Sequence, residues 1–414
     1  MFRRRAASHF ATDFQHHATG IARLNNGSFG ATPEPVLVTE HECRRKWRAN
    51  PDAMYFDQEG LDSQLAAATD AAAAALGAKE PGTVALLENA TVCAALLFQR
   101  WADRLSSTNP CAARGEGVLL LDVCYKAVLY AAQTICEPAG GRIHLSPVPF
   151  PRTTHEAVLQ SLDATLRATQ PRFALLDHVA SQPGLVLPIQ EMVALCRTHG
   201  VEEVAVDAAH AVGMLEPSRH DVEAVGADWY YSNLHKWAFA PPAVAALHGR
   251  RELMESTRHV VPSWHAGCGL AREARWVGTR DYASFLAVPR ALEYLDGWRS
   301  VDGLTAAAYN AAGWRDAAAM LCAAWEVELP AAPECSACMG MIPLPRALDL
   351  SRDQPGQPSM GVRAVLRSRY GIEAAVGGFG ELGGFVRLSH AVYNTDEEFA
   401  RLRDAIVELC GAQR

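Results

Sequence analysis

The middle of the chain alternates short apolar runs with amphipathic helical segments, and few folds accept that pattern. GVLLLD (117–122), GRIHLSPV (141–148), RFALLDHV (172–179), EEVAVDAA (202–209) and AVAALHG (243–249) read as strands. Between them, HEAVLQSLDATLRAT (155–169) and PIQEMVALCRTHG (188–200) read as helices with one apolar face. Strands of this kind, alternating with helices, imply a mostly parallel sheet covered on both faces, an α/β architecture. Ligands of such sheets bind beyond the carboxyl ends of the strands. Chemistry is therefore expected at Tyr125, at His178 to Gln182 and at Asp207 to His210.

After about Trp276 the pattern changes. A long helical stretch (301–329) precedes the strand-like MGMIPLP (339–345), the helical GVRAVLRSRYG (361–371) and the strand-like FVRLSH (385–390). A last helix opens on Thr395 and Glu398, a capping-box pair. A single core stops growing at roughly 250–300 residues, so a chain of 414 residues should divide. The expected division is an arm (1–24), a large α/β domain (25–275) and a small α+β C-terminal domain (276–414), with the N-terminal segment able to pack on the small one. RDQPGQPS (352–359) reads as a polar loop, and GGFGELGGF (377–385) as a mobile segment or a tight turn.

Hydrophobic residues make up 49% of the chain, enough for a core without disulfide or metal staples. The net charge of −8, with Lys and Arg dispersed, argues against nucleic acid or an anionic membrane as partner. No run approaches the length of a membrane span. Eleven cysteines without framework spacing indicate reduced thiols and a cytoplasmic location. The arginine-rich start is faintly like a transit peptide, but site-like sequence already begins at Asn25. No metal site is expected: Cys335-Ser-Ala-Cys338 lacks a second pair to complete four ligands.

VDAAHAVG (206–213) and YYSNLHKW (230–237) carry the sharpest chemistry. Asp207 ends a strand, where a carboxylate beside a buried heterocyclic nitrogen would keep that nitrogen protonated. Lys236 lies in a segment with little other charge, where its amine can form an imine with an aldehyde and then serve as acid and base. Singly, these residues could be a helix cap and a solvated lysine; the pair at this spacing favours the chemical reading.

D-x-x-H at a strand end followed by H-K resembles the class V aminotransferase family, whose members use pyridoxal 5′-phosphate in a type I fold with a seven-stranded, mostly parallel large domain. LNNGSFG (24–30), NPDAMYF (50–56), ENAT (88–91), DHVASQPG (177–184), WVGTRDY (276–282) and RLSHAVYN (387–394) extend the resemblance along the chain. It is strongest to plant-type L-cysteine desulfhydrases and isopenicillin N epimerase-like proteins. It implies Lys236 as the Schiff-base lysine and Asp207 as partner of the ring nitrogen. Asn89, Ala90 and Thr91 at a helix start, with Ser232 (or Asn233) and His235, would hold the phosphate. Tyr125 would stack on the ring. Ser181 (or Gln182) and His210 would contact the phenolic oxygen, and His178 would orient that loop or fill a core position. Thr279 would reach the phosphate of a second subunit, giving a homodimer with a shared site. Arg387 would bind the substrate carboxylate, with Asn26 opposite; Arg280 is either a second anion contact or a structural ion-pair partner.

The activity this implies is β-elimination from L-cysteine, giving sulfide, pyruvate and ammonia. Alternatives are a C–S lyase for a larger cysteine conjugate or sulfoxide of the ergothioneine-pathway type, an epimerase or racemase, or a cysteine desulfurase using Cys338. Cys268, in a glycine-flanked loop, is a bystander or a pocket-lining thiol. Segments 260–275 and 352–384 carry no readable code for the substrate side chain.

Overall fold

The computed structural model describes residues 10, 12–106, 117–348, 350–351, 353, 361–378 and 383–411. The polar loop expected at 352–359 and the centre of the glycine-rich segment fall largely outside the described residues, as does the arginine-rich start. The strands are β1 (Ala22–Arg23), β2 (Val84–Leu87), β3 (Gly117–Leu121), β4 (Arg142–Ser146), β5 (Phe173–Asp177), β6 (Glu203–Asp207), β7 (Trp229–Asn233), β8 (Ala245–Gly249), β9 (Met339–Pro343), β10 (Ile372–Glu373), β11 (Ala375–Gly378) and β12 (Gly384–Ser389).

Seven of them form one sheet in the order β2-β8-β7-β6-β5-β3-β4. β8 runs antiparallel to both neighbours, and the other pairings are parallel. All five expected central strands form. β2 and β7 were not legible as strands, because β2 has only four residues and WYYSN mixes aromatic hydroxyls with polar side chains. Alternate residues of each strand feed two separate cores: Leu119, Leu121, Val204 and Val206 on one face, Val118, Leu120 and Ala205 on the other. Period-two side-chain alternation makes one apolar strand serve both. The chain passes from β3 outward to β4 and then back across β3 to β5, which makes the carboxyl ends of β3 and β5 a switch point and opens a crevice there.

The C-terminal part builds an antiparallel sheet in the order β11-β12-β9, flanked by the helices Ala306–Trp325, Gly361–Tyr370 and Asp396–Gly411. The first is shorter than the sequence reading: Thr305 caps it by accepting from Ala308 N at 3.1 Å, and Glu326 ends it at φ +54°. The Thr395–Glu398 cap forms, with Glu398 Oε2 accepting from Thr395 N at 3.0 Å. The N-terminal segment lies on this part, since β1 pairs in parallel with β10. The helix Val288–Gly297 packs instead on the helix Leu61–Leu76 beside the large sheet.

Candidate active site

The carboxyl ends of β5 and β6 stand in register, so their last residues, Asp177 and Asp207, are direct neighbours. Both are buried. Asp207 Oδ1 accepts from Ala209 N at 2.9 Å. Burial raises its carboxyl, and the Ala209 N–H and the Lys236 charge oppose the rise. Asp177 has only a backbone N–H in relief: Oδ2 is buried without a partner, and burial together with the Asp207 charge pushes the acid well above the carboxylate range.

Lys236 follows β7 in the short helix Leu234–Trp237. Its Nζ lies 3.1 Å from His210 Nε2. Burial lowers the amine to about 8, with Asp207 opposing and Arg387 assisting. The indole Nε1 of Trp237 donates to His210 Nδ1 at 3.3 Å. An indole nitrogen can only donate, so Nδ1 must accept, and the neutral ring carries its proton on Nε2. Burial keeps His210 neutral by holding it well below the usual imidazole range. The Nε2–H is therefore placed to meet the lone pair of Lys236 whenever that amine is free. Two glycines allow this packing: Gly30 (φ +73°) lies on the His235 carbonyl and Gly213 (φ +83°) on the Trp237 carbonyl, where a Cβ would collide.

Arg387, on the central strand β12, is 5% exposed. Nη1 donates to Ser181 O at 2.8 Å and Ser181 Oγ at 3.1 Å. Nη2 donates to Asn25 Oδ1 at 2.9 Å and also to Ser28 Oγ. Burial first, then the neighbouring Arg363, push the guanidinium down to about 10, and the nearby Tyr125 phenol opposes them. A buried guanidinium held only by neutral acceptors is suited to an incoming carboxylate. Asn25 thus stands where the sequence reading put Asn26. Asn26 instead donates Nδ2 to Lys236 O at 3.1 Å and accepts from Tyr393 OH at 2.9 Å, which anchors the lysine helix. Ser181 faces Arg387. Tyr125, just beyond β3, keeps an aromatic ring 51% exposed at the mouth of the cleft.

At the other end the helix Ala90–Ser106 begins. Asn233 Oδ1 accepts from Ala90 N at 2.8 Å and Asn89 Oδ1 from Val92 N at 3.0 Å, which leaves the Thr91 side chain exposed. His235 Nδ1 contacts the Val244 backbone at 2.8 Å, and the fully buried Ser232 Oγ accepts from Val212 N at 3.3 Å. Arg280 is ion-paired with Glu88 and lies over the rings of Tyr282 and Phe285, each at 4.7 Å. Thr279 is exposed beside it and lines a separate hollow of about 360 Å³ with Arg44, Trp47 and Tyr55.

His178 is buried with Nδ1 3.0 Å from Tyr230 OH, a core contact. Cys335 and Cys338 are fully buried; burial raises both thiols, Cys335 to about 11. Cys268 is exposed. Among the described residues no cluster suited to a metal ion occurs, and no described helix is long and apolar enough to cross a membrane.

A partly uncharged lysine, a strand-end carboxylate, a helix start with the exposed Thr91 and a buried guanidinium around one crevice fit pyridoxal 5′-phosphate, whose aldehyde, ring nitrogen and phosphate need those groups. The fold and cleft define a pyridoxal-phosphate enzyme of fold type I. The chain belongs to the class-V aminotransferase family, whose profile matches residues 24–300. The putative L-cysteine desulfhydrase 1 of Oryza sativa subsp. japonica is 34% identical over 98% of this chain and 86% of its own length. Isopenicillin N epimerase of Amycolatopsis lactamdurans is 28% identical over 94% of this chain and 95% of its own. The apo cysteine desulfurase of Thermococcus onnurineus NA1 superposes with a TM-score of 0.76 at 16% identity, over 99% of each chain.

Proposed function

We propose that the chain is a carbon–sulfur lyase that breaks L-cysteine down to sulfide, pyruvate and ammonia. The observation that carries this reading is the Lys236 amine, lowered to about 8 by burial, in contact with His210 and within electrostatic reach of Asp207 and the buried Arg387. When bound, the pyridoxal ring supplies an electron sink for the pair left at Cα.

The rest is done by the protein. Arg387 takes the α-carboxylate and, through Asn25 and Ser181, fixes which Cα bond faces Lys236. Lys236 Nζ accepts the Cα proton. Asp207 keeps a proton on the ring nitrogen. The Cβ–S bond then breaks with its electron pair on sulfur; thiolate is a good leaving group, so no dedicated acid is required. Added water releases the nitrogen as ammonia and the carbon skeleton as pyruvate.

In this reading Asn89, Ala90, Thr91, Ser232 and His235 form the phosphate end, Tyr125 covers the ring, and Thr279 serves the site of a second subunit in a homodimer. The division into a large unit (25–275) and a small C-terminal one belongs to the same proposal, as does a cytoplasmic setting, which ten described free thiols support. A desulfurase using the CxxC pair is disfavoured, because neither sulfur reaches the surface. The test is the product balance from L-cysteine: equal sulfide and pyruvate are expected. Inversion at Cα without sulfide would replace this reading by epimerisation, and alanine with sulfur bound to the protein would replace it by desulfuration.

A further inference from the structure

A second cationic hollow adjoins the carboxylate site. It has a volume of about 270 Å³ and is lined by Arg23, Asn25, Asn26, Arg363, Arg367 and Glu373, among others. Its only described acid is already spent, since Glu373 accepts from Arg367 at 2.6 and 2.8 Å. Arg23 gives one N–H to Gly30 O at 3.2 Å and lies 5.5 Å from the Tyr393 ring centre. Arg363 has no side-chain partner among the described residues, and its Nε is buried. Its place on the helix is fixed, because Asp353 accepts from the backbone of Val362 at 2.9 Å and of Arg363 at 3.2 Å. Arg363 is partly exposed, but a guanidinium N–H shut off from water without an acceptor carries a cost, and an anionic occupant relieves it.

The hollow also touches the chemistry. Asn25 lines it and accepts from Arg387; Asn26 lines it and holds the carbonyl of Lys236. Arg363 also lies near enough to Arg387 for its charge to lower that guanidinium, so the two cations are neighbours across Asn25.

We propose that Arg363, with Arg23 beside it, binds a second carboxylate, so that the preferred substrates are cysteines whose sulfur carries a carboxylate-bearing substituent. This rests on the C–S lyase reading and narrows its substrate class. The Cα–H and Cβ–S bonds break as with free cysteine, and the leaving group is a mercapto acid, which takes the place of sulfide and picks up a proton.

The test compares S-carboxymethyl-L-cysteine with its neutral isostere S-carbamoylmethyl-L-cysteine, by calorimetric binding to the holoenzyme. The wild type should bind the acid about tenfold or more tightly than the amide, the size of one charge-assisted hydrogen bond. Arg363→Gln should bind the two alike, and Arg363→Lys should keep part of the preference. Equal binding by the wild type overturns the proposal. So does a preference that survives Arg363→Gln, including the case where both ligands weaken together, which would assign Arg363 to the α-carboxylate. Thiol release is scored separately: a binding preference without mercaptoacetate would sink the lyase reading and leave the subsite standing.

Discussion

Trp237 donates its indole N–H to Nδ1 of His210 at 3.3 Å, and this bond sets which imidazole nitrogen carries the proton that faces Lys236. With Nδ1 occupied, Nε2 can only offer a proton to Lys236, which favours the free amine. Trp237→Phe frees the imidazole to turn its lone pair toward a charged lysine. The Lys236 pKa should then rise from about 8 by on the order of one unit, the worth of one hydrogen bond. The pH dependence of the rate at which the apoprotein captures pyridoxal 5′-phosphate measures this; an unmoved midpoint would refute the tautomer argument.

Arg387→Gln removes the buried guanidinium that faces Ser181 and Asn25. A roughly 10–100-fold fall in kcat/KM for amino acids is expected, the range for a lost charge-assisted, bidentate contact. Inhibition by free carboxylates should weaken in parallel, which separates lost anion binding from a general defect.

Asp177→Asn tests the carboxylate pair. The folded pKa of Asp177 lies above its unfolded value, so the buried acid costs stability above the unfolded value, near pH 3.9, and costs nothing below it. The variant apoprotein should therefore melt higher than the wild type at pH 7–8, with the difference fading below about pH 4. Identical melting at pH 7–8 would mean that Asp177 is not strained by burial and by Asp207.

Tyr125→Ala should loosen the cofactor about 2–10-fold, from the roughly 0.5–1.5 kcal/mol of an aromatic stack, whereas Tyr125→Phe should keep it. Cofactor retention during dialysis reads both.

Glu203 anchors the sheet away from the cleft. It accepts from Trp101 Nε1 at 2.7 Å and Trp229 Nε1 at 2.8 Å, and pairs with Arg100 and Arg104. Glu203→Ala leaves the two indole N–H groups buried and unmatched, while Arg104 keeps Glu202 and Arg100 keeps Thr257; a loss of about 3–5 kcal/mol is expected in denaturant unfolding.

The linear order of residues determined the architecture, because strand and helix periodicities are local. Apolar runs with polar ends gave β3 to β6 and β8, and placed Tyr125, Asp207 and His210 at strand ends where parallel sheets bind ligands. Lys236 was legible from its neighbours and its distance along the chain from Asp207. Side-chain partnership was not legible, since it depends on contacts between residues hundreds of positions apart. Only folding could show that Asn25, not Asn26, meets Arg387, that Arg280 is consumed by Glu88, and that Ser181 faces a guanidinium. Register alone put Asp177 against Asp207, and packing left the Nε of Arg363 without an acceptor. The physical reason is that a polar group's role is set by what remains to satisfy it once water has been excluded, and the tertiary structure decides that.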